Sequence, residues 1–349
     1  MNQVHRIDLP RVVLVGRGVL ESLGEVCQEL GLERPLVVTG KTTYKVAGRR
    51  AVSLLGEGGR EVQQVFCSEA DLNTVERVKL EAESMGADSV IGVGGGRTID
   101  VAKLAAYDSD TYFVSVPTTA SHDGIASSSA SIKGLGRPYS KRANSPIAVL
   151  ADSKIIAESP YRFTASGCGD VISKAVSVRD WRLAHDEIGE YYGEYAGSLA
   201  LMSSNLIRRN AQLICERLEE GYRTLLEALV SCGVAMSIAG SSRPCSGSGH
   251  LFSHTLDVLA PGVALHGEQC GVGTIMMAKL HGLNWRAIRE SLRVIGAPIS
   301  AEGLGLEPET VVQALVGAVE IRPDRYTILN KIGLNDESAR DLAGGCGVI

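Results

Sequence analysis

The chain has 349 residues, 35 basic against 40 acidic side chains, a net charge of −5, and 44% hydrophobic but only 5% aromatic residues. That length supplies one large or two ordinary cores without disulfides, and the absence of a basic run or of aromatic–basic interleaving excludes a nucleic-acid surface. Eight cysteines, at 27, 67, 168, 215, 232, 245, 270 and 346, form no C-x-x-C pair. This excludes a zinc ribbon or a dithiol redox motif.

Short apolar runs open the first half: Val12–Val15, Pro35–Thr39, Val62–Phe66, Ser89–Val93 and Tyr112–Ser115. Helical patterns near Leu20–Leu30, Thr43–Leu55, Leu72–Met85 and Thr98–Tyr107 separate them. Strands alternating with helices of this length predict β-α-β units and a parallel sheet. The segment ASIKGLGRPYSKR, residues 130–142, reads as a hairpin with a Gly-rich turn, and Ile147–Leu150 as a last strand. Beyond Ser159 only helical patterns follow: Arg162–Leu183, Ile188–Glu220, Tyr222–Ser237, Gly249–Leu259, Gly271–His281, Trp285–Ile295, Pro308–Ile321 and Glu337–Ala343. The expected fold is an α/β nucleotide-binding domain with a parallel sheet, residues 1–155, followed by an all-helical metal and substrate domain, residues 156–349. No N-terminal leader pattern is read, and the least charged long run, Ala228–Ser242, suits a buried helix better than a membrane span. A soluble, cytoplasmic protein is the expectation.

Two stretches in the first half carry chemistry. SVIGVGGGRTIDVAK, residues 89–103, runs a strand into three glycines and then a helix. Glycines there let backbone N–H groups approach an anion, and the helix turns its positive end to the same spot. Asp100 either caps that helix or bonds a ribose hydroxyl. The pattern is not G-x-G-x-x-G, so the usual dinucleotide fingerprint does not apply. VSVPTTASHDGIASSSAS, residues 114–131, follows another strand and offers hydroxyls and amides where open α/β sheets bind ligands.

The second half concentrates imidazoles. His250 and His254 lie four apart, on one face of a helix. His266 follows the turn Ala260-Pro261-Gly262, so a folded-back segment can bring it to the same place. A catalytic zinc takes about three protein ligands and keeps one position open. Asp170, in the apolar stretch GCGDVISKAVSVRDW, is the candidate carboxylate. A divalent cation is one partner for it, and Lys174 four residues on is the competing one.

Together, GGGRTIDVAK, VPTTAS, GCGD, GHLFSH and HGE resemble, in that order, the superfamily of iron-containing alcohol dehydrogenases, glycerol dehydrogenases and dehydroquinate synthases. SHDGIASSSASI, GCGDVISKAVSVRDWRLA and GSGHLFSHTLD make the specific likeness one to the glycerol-1-phosphate dehydrogenases. The resemblance implies one zinc ion on Asp170, His250 and His266, with His254 facing substrate and Asp123 contacting it; Asp123, Asp170 and His254 are then the catalytic set. It implies NAD or NADP contacts at Gly95, Gly96, Arg97, Thr98, Ile99, Asp100, Thr118, Thr119, Ala120, Ser121 and Ser127. Three departures stand out: Arg97 where many relatives have lysine, Lys174 where the iron enzymes have a fourth, histidine ligand, and Gly249 where close relatives often have an acid.

The implied reaction is reduction of dihydroxyacetone phosphate to sn-glycerol 1-phosphate for archaeal-type membrane lipid synthesis. A glycerol dehydrogenase acting on an unphosphorylated polyol, a dehydroquinate synthase-like lyase and a non-catalytic nucleotide-binding protein are the alternatives. Candidates for holding the substrate phosphate are Arg243, Ser246 to Gly249 and Lys133, with a surface salt bridge as the competing role for Arg243. The second strand ends in Thr39-Gly40-Lys41-Thr42, with no acid to repel a 2′-phosphate, so use of both NADH and NADPH is expected. The partners expected are the phosphate-ester substrate and further copies of the chain in a homo-oligomer.

Overall fold

The four central strands of the sheet are almost wholly buried, and the reason is visible in how each alternates. In this computed structural model, which describes residues 7–132 and 139–349, the sheet contains β1 (Val12–Gly16), β2 (Pro35–Thr39), β3 (Gln63–Phe66), β4 (Ser89–Gly94), β5 (Tyr112–Pro117) and β8 (Ala148–Asp152). All pair in parallel, in the order β1-β8-β5-β4-β2-β3. Leu36, Val38 and Val90 face one side, against Val75, Val78 and Ile99. Val37, Ile91 and Val93 face the other, against Leu23, Val26 and Leu55. Successive side chains point to opposite faces, so a strand covered on both sides must be apolar throughout.

The covering helices are α1 (Leu23–Glu29), then a segment from α2 (Lys41–Thr43) through a π turn at Tyr44–Gly48 into α3 (Arg49–Glu57), then α4 (Leu72–Ser84), α5 (Gly96–Asp108) and α6 (Ser153–Glu158). Strands β6 (Ser129–Ile132) and β7 (Tyr139–Arg142) pair antiparallel, as the hairpin reading requires; its turn lies outside the described residues. The chain leaves β2 toward one edge of the sheet and β4 toward the other. The crevice between their carboxyl ends is therefore a topological switch point, where such sheets take ligands.

The second unit begins at Tyr161 and is helical throughout: α7 (Tyr161–Ile172), α8 (Lys174–Ile188), α9 (Glu194–Arg209), α10 (Ala211–Cys215), α11 (Glu219–Ala239), α12 (Ser248–Leu259), α13 (His266–Leu280), α14 (Trp285–Ile295), α15 (Ala301–Leu304), α16 (Pro308–Ile321), α17 (Ile328–Ile332) and α18 (Asp336–Gly345). The single helix expected over Arg162–Leu183 is two. Ser173 turns its hydroxyl onto the Asp170 carbonyl at 2.6 Å and interrupts the ladder. The expected Ile188–Glu220 run is likewise broken, at Gly189 in the left-handed region and again at Asn210. Among the described residues α11 alone is long and apolar enough to cross a membrane, but 61% of its apolar window is buried inside the protein, as in a core helix.

Candidate metal centre and cofactor loop

Helix α5 starts at Gly96 with Gly95 as its N-cap, and no side chain caps it. By contrast Asp71 caps α4 through the Thr74 amide. The first-turn N–H groups of α5 thus keep their positive end for an anion. The glycines serve the chain's own packing as well. A Cβ on Gly94 would lie 2.6 Å from the Thr98 Cβ, and one on Gly96 would strike the His122 ring.

The remaining expected cofactor residues divide by what already holds them. Arg97 is exposed, 3.4 Å from the Ser68 carbonyl. The Ile99 side chain lies in the core and its amide donates to the Gly95 carbonyl, which leaves it no group for a ligand. Asp100 is buried; one oxygen faces Lys103 at 3.4 Å and the other accepts from the Ser131 amide at 3.2 Å. Thr98 is buried beneath Gly94, and Ala120 is buried too. The Thr119 hydroxyl sits over Gly95. The Thr118 hydroxyl is buried without a hydrogen-bond partner among the described residues, an orphan that a bound molecule would satisfy. Ser121 lies on the same loop, just before the short 3-10 turn at Asp123–Ile125.

Sequence reasoning missed the residue that ties this region together. Lys103 is fully buried on α5, and its ammonium donates to the Gly124 and Ser129 carbonyls at 2.7 Å each. Its contacts to Asp100 Oδ1 and Ser127 Oγ are 3.4 Å. One lysine therefore shapes the loop that carries Asp123 and Ser127. Burial pulls its pKa below the ordinary value, while Asp100 and Asp123 oppose that.

In the second unit three helices bring their donors to one point. Asp170 ends α7, His250 lies in the first turn of α12, and His266 opens α13. Their ligand atoms, with the thiol of Cys270, all lie within 4.8 Å of one another. His250 Nε2 is 3.4 Å from Asp170 Oδ1, and Cys270 Sγ is 3.5 Å from His266 Nε2. An ion with bonds of ~2.0–2.3 Å in tetrahedral array has ligand–ligand edges of roughly 3.3–3.6 Å. Ser253 Oγ is 3.0 Å from His266 Nδ1, a neighbour that fixes the ring and leaves Nε2 inward. His250 Nδ1 is buried without a hydrogen-bond partner among the described residues. A carboxylate and two imidazoles are a donor set that suits a divalent ion such as zinc.

Lys174 competes as the sequence implied, 2.6 Å from Asp170 Oδ1 with both groups fully enclosed. Burial alone would raise the Asp170 pKa; Lys174 first and His250 second hold the carboxyl well below its usual range. Burial, helped by Lys174, keeps His250 below its ordinary value, which favours the neutral imidazole that ligates metal. His254 stacks on His266, ring centroids 5.7 Å apart, and its Nδ1 is 4.0 Å from Asp257 Oδ2.

Two glycines beside the ligands explain how the helices come so close. A Cβ on Gly267 would lie 2.6 Å from the Ser166 carbonyl carbon, and one on Gly169 would lie 3.1 Å from the Gly267 carbonyl carbon. Backbone meets backbone there, one residue from His266 and one from Asp170. Glu268 secures the same turn, accepting from Arg162 at 2.6 and 2.7 Å and from the Leu265 amide at 2.8 Å.

Two of the expected phosphate ligands, Arg243 and Ser248, are otherwise engaged. Arg243 is buried, paired with Glu190 through two nitrogens, and donates to the Tyr326 carbonyl at 2.9 Å. It makes a salt bridge, but an interior one. The Ser248 amide and hydroxyl both donate to Asp180 Oδ2 at 2.6 Å, so that carboxylate already occupies the start of α12. Asp180 Oδ1 accepts from the Ile328 amide and contacts His281 Nε2, each at 2.9 Å. Lys133 lies outside the described residues.

The pattern of the iron-containing alcohol dehydrogenase family matches residues 14–160. Glycerol-1-phosphate dehydrogenase (NAD(P)+) of Methanosarcina acetivorans is 51% identical over 98% of this chain and 96% of its own length. That of Pyrococcus horikoshii is 49% identical over 99% of this chain and its full length. Among solved structures, a glycerol dehydrogenase from Schizosaccharomyces pombe superposes with a TM-score of 0.84 at 20% identity, covering 99% of this chain and 91% of that one. A sulfoacetaldehyde reductase from Bifidobacterium kashiwanohense in complex with NAD+ gives 0.76 at 18% identity over 99% of each. These structures establish the fold, and the two enzymes of half-identical sequence establish the kinship: the chain belongs to the glycerol-1-phosphate dehydrogenase family.

Proposed function

We propose that this chain reduces dihydroxyacetone phosphate to sn-glycerol 1-phosphate with NADH or NADPH, making the glycerol backbone of archaeal-type membrane lipids. The observation that carries this reading is the convergence of Asp170, His250 and His266 within 4.8 Å, in a chain half identical to enzymes named for that activity. Those three residues would hold one zinc ion. When bound, it supplies Lewis-acid polarisation of the ketone. The nicotinamide supplies the hydride.

The chain's own residues do the rest. The uncapped start of α5 and the Thr118 hydroxyl receive the cofactor diphosphate. Lys41, just past β2, tolerates a 2′-phosphate, and no acid stands there to reject it. Ketone reduction consumes one proton for each hydride; His254, stacked beside His266, hydrogen-bonds the substrate hydroxyl and passes that proton. Asp123 orients the second hydroxyl. Seven of the eight cysteines are buried, away from oxidants, which suits a reducing cytoplasm.

The test is metal analysis of purified protein beside NADPH oxidation, with dihydroxyacetone phosphate and with dihydroxyacetone. Turnover that needs the phosphate and a stoichiometric metal supports the reading. Equal turnover of both ketones would instead make it a polyol dehydrogenase.

A further inference from the structure

Cys270 is fully buried on α13, four residues after His266, so the thiol and the imidazole lie on one face of that helix. Close packing brings two more donors to the same face. A Cβ on Gly249 would lie 3.6 Å from the Cys270 carbonyl oxygen, and one on Gly271 would lie 3.4 Å from the Gly169 Cα. Gly249 precedes His250, and Gly169 precedes Asp170. Residue 270 therefore stands where α7 and α12 close on α13. Its Sγ lies within 4.8 Å of a ligand atom from each of Asp170, His250 and His266.

The spacing is that of a ligand rather than of a small apolar filler. Sγ is 3.5 Å from His266 Nε2 but 3.9 Å from Nδ1, so it faces the nitrogen that Ser253 leaves inward. Bonds of ~2.3 Å to sulfur and ~2.0–2.1 Å to nitrogen at a tetrahedral angle put those two atoms about 3.5 Å apart. The same angle between nitrogen and oxygen gives about 3.4 Å, and His250 Nε2 is 3.4 Å from Asp170 Oδ1. Charge points the same way. Asp170 is already paired with the enclosed Lys174 ammonium. A divalent ion arriving there meets a carboxylate whose charge is offset, and an enclosed excess of positive charge is costly. A second anionic donor relieves it.

On the reading that Asp170, His250 and His266 hold a divalent ion, we propose that Cys270 Sγ is its fourth protein donor. A bound cation makes the thiol a thiolate, and the proton passes to solvent. The soft sulfur biases the site toward zinc or cobalt and away from manganese or magnesium. Zinc can expand to five ligands, so the sulfur does not bar an incoming substrate oxygen.

The experiment strips the full chain of metal with a chelator and titrates it with cobalt(II), reading the absorption spectrum. Wild type should take up cobalt stoichiometrically, with a sulfur-to-cobalt charge-transfer band in the near ultraviolet. Cys270→Ala should bind cobalt at least about tenfold more weakly and without that band, whereas Cys245→Ala should keep it. Competition titrations should show a larger loss for zinc than for manganese, a difference that a packing defect would not make. Cobalt bound by wild type without the band refutes the sulfur ligand and leaves the three-donor centre standing; wild type that takes up no cobalt refutes both. A band that survives in Cys270→Ala, or vanishes in Cys245→Ala, also overturns the proposal. Should Cys270→Ala not fold, Cys270→Ser carries the same comparison.

Discussion

Substituting Gly267 by alanine adds one methyl group where two helices touch, and the consequence can be worked through. The new carbon would sit 2.6 Å from the Ser166 carbonyl carbon, about 1 Å inside the ~3.5 Å at which carbon atoms come to rest. Neither neighbour is a flexible side-chain end that could swing away, so α7 and α13 must separate by roughly that 1 Å. Overpacking of this kind costs about 1–3 kcal/mol, a fall in Tm of roughly 2–12 °C for a unit of this size. The larger effect is on the donors. Asp170 rides on α7 and His266 on α13, and metal–ligand bonds tolerate only ~0.2 Å. Metal affinity should fall by a factor of about 10–100, while NADPH binding, assigned to α5 in the proposed reading, should stay at its wild-type value. The assays are thermal melting, metal content after dialysis against a graded chelator, and NADPH fluorescence titration. A Gly267→Ala protein with full metal content and a Tm within about 1 °C of wild type would refute the idea that this backbone contact sets the donor spacing.

Three further outcomes follow from the same geometry. Lys103→Met leaves the Gly124 and Ser129 carbonyls and the Asp100 carboxylate without their cation, a loss of about 3–5 kcal/mol when a buried pair is broken; NADPH affinity should drop at least about tenfold with metal content unchanged, and a titration with unaltered affinity would deny the lysine its organising role. Asp180→Ala removes the acceptor shared by Ser248 and Ile328, so chelator competition should show weaker metal retention through a loosened α12, and unchanged retention would confine Asp180 to general stability. His250→Ala should lose metal and turnover together, whereas His254→Ala should keep metal and lose turnover; equal metal loss in both would reassign the ligands.

The sheet could be read from the sequence because its rules are local. Strands such as Pro35–Thr39 announce themselves as unbroken apolar runs, and the tight turn after Val93 by its glycines. The start of α13 could not. Gly267 argues against a helix by propensity, and the sequence pattern is read from Gly271, yet close packing on α7 carries the helix back to His266. The imidazoles and the carboxylate were legible because an i, i+4 spacing and an acid among small residues are signals within one segment. Their supports were not. Glu268 finds Arg162 106 residues away, and Arg243 finds Glu190 across 53. No local pattern separates an arginine spent on an interior carboxylate from one waiting for a phosphate.

The bond from Lys174 to Asp170 has a bearing on how the protein is assembled in the cell. Small zinc-dependent domains stay unfolded until the ion arrives, because nothing else balances their ligands. Here the carboxylate has a resident ammonium at 2.6 Å, so the polypeptide can reach its native shape first and take up its cofactor ion afterwards. On the metal-dependent reading, maturation then becomes an exchange at a finished pocket, and a shortage of that ion would leave an intact, dormant chain rather than a misfolded burden to be degraded.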